Sequence, residues 1–300
     1  MISRNISLED KLVEQLKAQV DYSDNEVTGA VLNALADMYK AAGDNKFAEA
    51  VKVVADKALE STTFDDKESL KNYECGKGFY SAYDVTGDEK YREAAKKIAA
   101  QLDTQPRYEE GFFAGSQDNG VKKLCRTYMY TPFYMNYETK DGGKERYNDI
   151  IAQIRSYHTN MFDSYKDKLG SDEAAYNIVA HYTAALIDTM EVMDQMLYEI
   201  YHEMLDYYRA AVKAIAESGA VTGKGIKADY VFGYALLKGC RMKAVLTEKY
   251  EDIVIGLMDS LDESADNTYM LAMKAMYYSE AIRNREYQDY GRGKGGVLWS

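Results

Sequence analysis

The sequence predicts an all-α chain of about six helical hairpins. Three observations carry that prediction. One amphipathic unit occurs four times, alternating runs of Val, Ile and Thr that would mark strands are nearly absent, and only Pro106 and Pro132 interrupt 300 residues rich in helix formers.

The unit is clearest in GDEKYREAAKKIAAQL, residues 87–102. Asp88 and Glu89 suit the positive end of a helix dipole, and Tyr91, Ala94, Ala95, Ile98 and Leu102 then fall on a single stripe, so one side is buried. GDNKFAEAV from Gly43, GKERYNDII from Gly143 and LTEKYEDIV from Leu246 repeat it, with stripes begun by Phe47, Tyr147 and Tyr250. The copies lie roughly 50 residues apart with a double gap before the last. The missing copy is placed at residues 201–215, where YHEMLDYYRAAVKAI keeps the helical period. Hairpins longer than those of open helical-repeat scaffolds are expected to close into a ring.

In chain order, apolar periodicity predicts helices over about residues 8–19, 26–42, 46–59 and 68–84. Gly76 and Gly78 inside the fourth point to close packing or a bend. A loop over residues 103–120 follows, and two readings of it stand: a lid or pocket rim, or a loop pinned to the core by Phe112 and Phe113. The helix over residues 121–137 is crowded with Tyr128, Tyr130, Phe133, Tyr134 and Tyr137. In a chain with 28 tyrosines, such a stripe reads as core packing or as a wall that stacks sugars. Further helices are expected over residues 174–193 and 229–243, and a last pair from Asn267. The terminal GRGKGGVLWS reads as a turn into a closing helix that the chain cuts short, which leaves apolar surface in the last hairpin without its partner.

Without a Pro- or Ser-rich break, residues 1–300 are expected to form one domain. A net charge of −12 argues against nucleic acid as a partner. No run of about 20 apolar residues exists, and MISRNISLEDKLVEQL lacks the apolar block of a secretion signal. A cytoplasmic protein that neither spans nor binds a membrane is therefore expected. Cys75, Cys125 and Cys240 suit reduced core thiols better than a disulfide framework. His202-Glu203-Met204-Leu205-Asp206 lacks the second His of a zinc pair and reads as a solvated helix face, so neither metal nor cofactor is expected. Nothing in the sequence sets the oligomeric state.

Several of these stretches resemble one family. TGDEKY from Thr86, QPRYEEGFF from Gln105, TYMYTPFYMNYETKDGGKERY from Thr127 and YALLKGCRMKAVLTEKY from Tyr234 are similar to the unsaturated rhamnogalacturonyl and glucuronyl hydrolases, glycoside hydrolase families 105 and 88. The resemblance implies an (α/α)6 barrel with a pocket at one end. It also implies hydration of the C4=C5 double bond that polysaccharide lyases leave in a terminal uronic acid, with an unsaturated oligosaccharide as the partner and an Asp as acid and base.

Carried over position by position, the resemblance puts the acid/base at Cys125, a second acid at Lys71 and a His at Ala114. It implies substrate contacts at Phe113, Tyr128, Met129, Asp172 and His181. The scaffold residues match and the chemical ones do not, which implies altered or lost activity. A thiol with a pKa near 8.5 falls more than four units short of an Asp near 3.9 as a proton donor, about 6 kcal/mol in driving force. Asp118, Glu74 and Asp172 are the replacement acids that the sequence offers. The alternative is a non-catalytic barrel that binds sugar or protein.

Overall fold

The computed structural model describes residues 4–116, 126–194, 196–261 and 264–293 of the chain, with side chains as far as residue 284. Thirteen α-helices are found among them: α1 (Ile6–Gln19), α2 (Asn25–Ala42), α3 (Asn45–Ser61), α4 (Lys71–Thr86), α5 (Glu89–Ala99), α6 (Thr127–Tyr137), α7 (Tyr147–Tyr157), α8 (Asp163–Tyr165), α9 (Glu173–Val192), α10 (Tyr198–Ser218), α11 (Lys227–Arg241), α12 (Thr247–Tyr250) and α13 (Thr268–Gly293). No strand occurs among the described residues, only an isolated bridge between Arg107 and Phe113.

The recurring Gly-Asp is one tight turn used twice. Gly43 and Gly87 take φ of 63° and 69°, a left-handed conformation that ends α2 and α4 cheaply only with glycine. Asp44 and Asp88, next in sequence, then cap α3 and α5 by accepting from the amides of Lys46 and Lys90. Each turn sends an inner helix back along an outer one. Outer helices bury one stripe, as in Tyr91, Ala95 and Ile98 of α5, whereas α2 and α11 are buried on nearly every side.

The inner helices close a ring: α2 packs on α4, α4 on α6, α6 on α9, α9 on α11, α11 on α13, and α13 back on α2. This is an (α/α)6 barrel rather than an open solenoid. Its inner helices run parallel, because first turns meet first turns, as in Tyr176 with Asp229, and last turns meet last turns, as in Arg241 with Glu191. Small residues set the helix spacing. A Cβ added at Gly29 would come within 2.2 Å of the Glu74 carbonyl oxygen, and one at Gly76 within 2.5 Å of the Phe133 ring.

Two expectations are corrected. The fourth marked unit is not one continuous helix. Helix α12 is a single turn that passes into 3₁₀ segments at Glu251–Ile253 and Ile255–Ser260, so Val254 and Leu257 are buried while Tyr250 and Ile253 are only half-buried. Its entry also lacks the Gly-Asp turn, since Lys243 takes the positive φ of 59°. The face of α13 does not lack a partner either, because α1 occupies the outer place beside it. The Tyr278 hydroxyl donates to Glu9 at 2.9 Å and accepts from the Asn5 amide at 2.8 Å, and Tyr278 and Ile282 are buried. Residues 294–300 of the Gly-rich tail lie outside the described residues. The missing copy at residues 201–215 is present as α10, with Met204, Tyr208, Val212 and Ile215 on its buried stripe.

Candidate active site at the N-terminal mouth of the barrel

Parallel inner helices bring their first turns to one end of the ring, where unpaired backbone N–H groups and aligned dipoles favour negative charge. Three cations stand at those first turns: Lys71 opens α4, Arg126 immediately precedes α6 and Lys227 opens α11. Asp24 caps α2 and receives the Lys71 ammonium at 2.7 Å. Glu26, two residues on, has its carboxylate 3.7 Å from the same ammonium. A ladder of amides extends the rim, with Asn25 donating to Asn72 at 2.8 Å and Asn72 to Gln101 at 2.9 Å.

Glu26 lies within electrostatic reach of Lys71, Lys227 and Arg126 together. Its side chain remains 23% exposed. Burial raises its pKa above the usual carboxylate value, and the Lys71 ammonium opposes that rise.

Deeper along the axis, His181 is buried. Its Nδ1 lies 2.7 Å from the Asn177 carbonyl oxygen, which can only accept, so Nδ1 carries the proton and Nε2 accepts from the Tyr269 hydroxyl at 3.2 Å. Burial pushes this imidazole down to about 3, which keeps it neutral. Tyr128 stands edge-on to His181 with ring centroids 6.0 Å apart, and the Lys77 ammonium covers the Tyr128 ring at 3.8 Å. Lys77 also lies 3.0 Å from Glu74, whose other carboxylate oxygen accepts from Asn33. Burial pushes Glu74 up to about 7.

The opposite end of the axis is closed by paired charges around a cavity of about 70 Å³. Lys238 sits 2.6 Å from Asp188 and 2.5 Å from Glu191, and Arg241 grips Glu280 at 2.7 and 2.9 Å. Each buried charge meets its opposite there, as a stable interior requires.

Of the residues singled out in the sequence, Lys71, Tyr128 and His181 gather at or beneath the N-terminal mouth. Met129, next to Tyr128 on α6, is buried. Asp172 caps α9 by accepting from the Ala174 amide. Phe113 is packed against Tyr73, Tyr130 and Tyr134 with the Arg107 guanidinium over its ring, so both loop aromatics are pinned in the core. Ala114 is half-buried and is held by the Pro106 carbonyl and the Gln105 amide. Cys125 and Asp118 lie outside the described residues. Among the described residues, no group of three or more His, Cys, Asp or Glu is arranged to hold a metal ion, and no helix is long and apolar enough to cross a membrane. Sequence reading missed Glu26, Asp24 and Lys227. The nearest signal was the acidic Asp24-Asn25-Glu26 opening of α2, which reads locally as a helix cap.

Solved structures share this architecture. A family 105 glycoside hydrolase from C. acetobutylicum superposes with a TM-score of 0.73 at 17% identity, over 93% of this chain and 98% of that one. A possible family 105 member from Salmonella enterica gives 0.74 at 14%, over 93% and 94%, and a family 88 glycosyl hydrolase from Bacteroides vulgatus gives 0.64 at 12%, over 93% and 99%. At these identities the likeness establishes the fold alone. No curated protein matches the chain significantly. The sequence pattern of one family does match, across residues 7–219 and so over most of the chain from α1 to the end of α10, and on that match the chain belongs to Glycosyl Hydrolase Family 88.

Proposed function

We propose that the chain is a carbohydrate-active protein of the unsaturated uronyl hydrolase type, which takes the terminal uronide of a lyase-derived oligosaccharide at the N-terminal mouth. The observation that carries this reading is the placement of Lys71, Arg126 and Lys227 at the first turns of three inner helices, at their positive ends. A sugar carboxylate is the anion that such a mouth suits. Lys71, Ala114 and Cys125 stand where the resemblance implies Asp, His and Asp, so hydration of the double bond is expected to be slow.

A second reading, sugar binding without chemistry, is favoured by one specific contact. The Lys71 ammonium is held at 2.7 Å by Asp24, which locks a cation where the resemblance implies an acid.

The test is to follow the absorbance of the conjugated double bond in unsaturated glucuronyl and galacturonyl-rhamnose disaccharides, with binding measured by calorimetry at low and high salt. Slow loss of absorbance with salt-weakened binding supports the first reading. Binding without loss of absorbance supports the second, and no binding of either sugar overturns both.

A further inference from the structure

Helix α10 packs its buried stripe on α9 and leaves another stripe, Glu199, His202, Asp206, Arg209 and Lys213, exposed to solvent. The charges on that stripe are sorted by sign. Glu199 and Asp206 occupy its first half, and Arg209 and Lys213 its second. Glu203 beside them is held by Arg155, whereas among the described residues Glu199, Asp206 and Lys213 have no ion-pair partner. Apolar side chains are sorted along the same helix. Met196, Tyr198 and Leu246, at 88%, 71% and 69% exposure, are the most exposed large apolar groups among the described residues. Met196 precedes α10 and Tyr198 opens it, at the acidic end. Leu246 stands at the basic end, in a groove of about 360 Å³ lined also by Arg209, Lys213, Lys249, Val245 and Tyr250. No carboxylate of the described residues lines that groove, although the chain carries a net charge of −12.

We infer that this face docks onto a second copy of the chain, with the two α10 helices antiparallel across a twofold axis that passes near Asp206 and Arg209. A twofold contact needs a self-complementary surface, and an acidic half followed by a basic half on one helix is self-complementary when reversed. Antiparallel pairing sets Asp206 against the partner's Arg209 and Glu199 against the partner's Lys213. Both pairs fall within one helical turn of a common register. That register also carries Met196 and Tyr198 toward the partner's Leu246 groove, so the charged and the apolar side chains point to one arrangement. Like net charge does not forbid it, because physiological salt screens exposed charges beyond about 8 Å and leaves the pairs in contact to decide. The face is independent of the hydrolase reading. Its groove follows the last turn of α11, whereas the mouth lies at the first turn, about 20 Å away along the helix.

The experiment is sedimentation velocity over a range of protein concentrations, at low and high salt, on wild type, Glu199→Lys, Lys213→Glu and the variant carrying both changes, with folding checked by thermal melting. Wild type should sediment as a dimer at high protein concentration, and its dissociation constant should rise with salt. Each single reversal should weaken the dimer at least ~10-fold, because it sets like charges against each other in both symmetric pairs. The double exchange should return the dissociation constant to within about threefold of wild type, because the same two pairs re-form with their signs swapped. A merely structural effect of either substitution does not produce that recovery. Wild type that stays monomeric throughout overturns the inference, as does a dimer that both single reversals leave unchanged or that the double exchange does not restore. A monomer that binds saturated oligogalacturonate, and binds it less well as Lys213→Glu, also overturns it and assigns the groove to an acidic polymer. If a charge variant does not fold, Met196→Ser and Leu246→Ser decide, since each should weaken the dimer at least ~3-fold and an unchanged dimer in both overturns the inference.

Discussion

Tyr278 and Glu9 meet at 2.9 Å across the seam of the barrel, joining its last inner helix to its first outer one. Glu9 is buried, and its two oxygens are also held by Arg4 at 2.9 and 2.7 Å. The seam therefore depends on a charged group whose desolvation is offset by three hydrogen bonds. Tyr278→Phe should destabilise the chain by about 2 kcal/mol, as for a hydrogen bond to a charged group. Denaturant unfolding measures it, and an unchanged midpoint would mean that the ring is held without this contact.

The outer helices should be unequal. Tyr91 is fully buried and its hydroxyl donates to Asp56 at 2.6 Å, so Tyr91→Ala should cost about 3–5 kcal/mol. Tyr250 starts the same motif, but it is half-buried where α12 breaks into 3₁₀ turns, and Tyr250→Ala should cost less than half as much. Equal losses would show that the last hairpin folds as a regular helix in solution.

How far the sequence discloses the structure follows from the range of each interaction. Gly43-Asp44 and Gly87-Asp88 are local signals, since one residue ends a helix and the next caps another, and they make the hairpins legible. The place of α1 beside α13 is not legible, because Asn5 and Tyr278 are separated by 273 residues and neither sits in a distinctive pattern. Glu26 was hidden for the same reason. It stands 45 positions from Lys71, 100 from Arg126 and 201 from Lys227, and only ring closure brings those charges together. Phe112 and Phe113 left two readings open because a loop aromatic looks the same on a rim or in a core.

Acid should unfold the barrel partly through His181. Burial lowers its folded pKa to about 3, against an ordinary value of 6.5, so the unfolded chain binds the proton first as pH falls. The contribution is fully present above about pH 6.5 and is lost as pH falls through that value toward 3. His181→Gln keeps a side chain able to accept from Tyr269 but does not titrate. Its stability difference between pH 7 and pH 4 should be smaller than that of wild type by more than 1 kcal/mol, on the order of one pKa unit or more. Parallel pH profiles from denaturant melts would show that His181 does not limit acid stability.

Returning the chain to the acids that its resemblance implies should require a fourth change. The combination Cys125→Asp, Lys71→Asp and Ala114→His would replace the Lys71 ammonium, now 2.7 Å from Asp24 and 3.7 Å from Glu26, with a third carboxylate. Three like charges around one position raise one another's pKa values and oppose folding. Asp24→Asn removes one of those charges and keeps an oxygen able to cap α2. The fourfold variant should therefore melt at a higher temperature than the threefold one and turn over the unsaturated disaccharide at least ~10-fold faster than wild type, on the scale set by a positioned acid. A fourfold variant that remains as slow as wild type would mean that position 125 does not face the sugar.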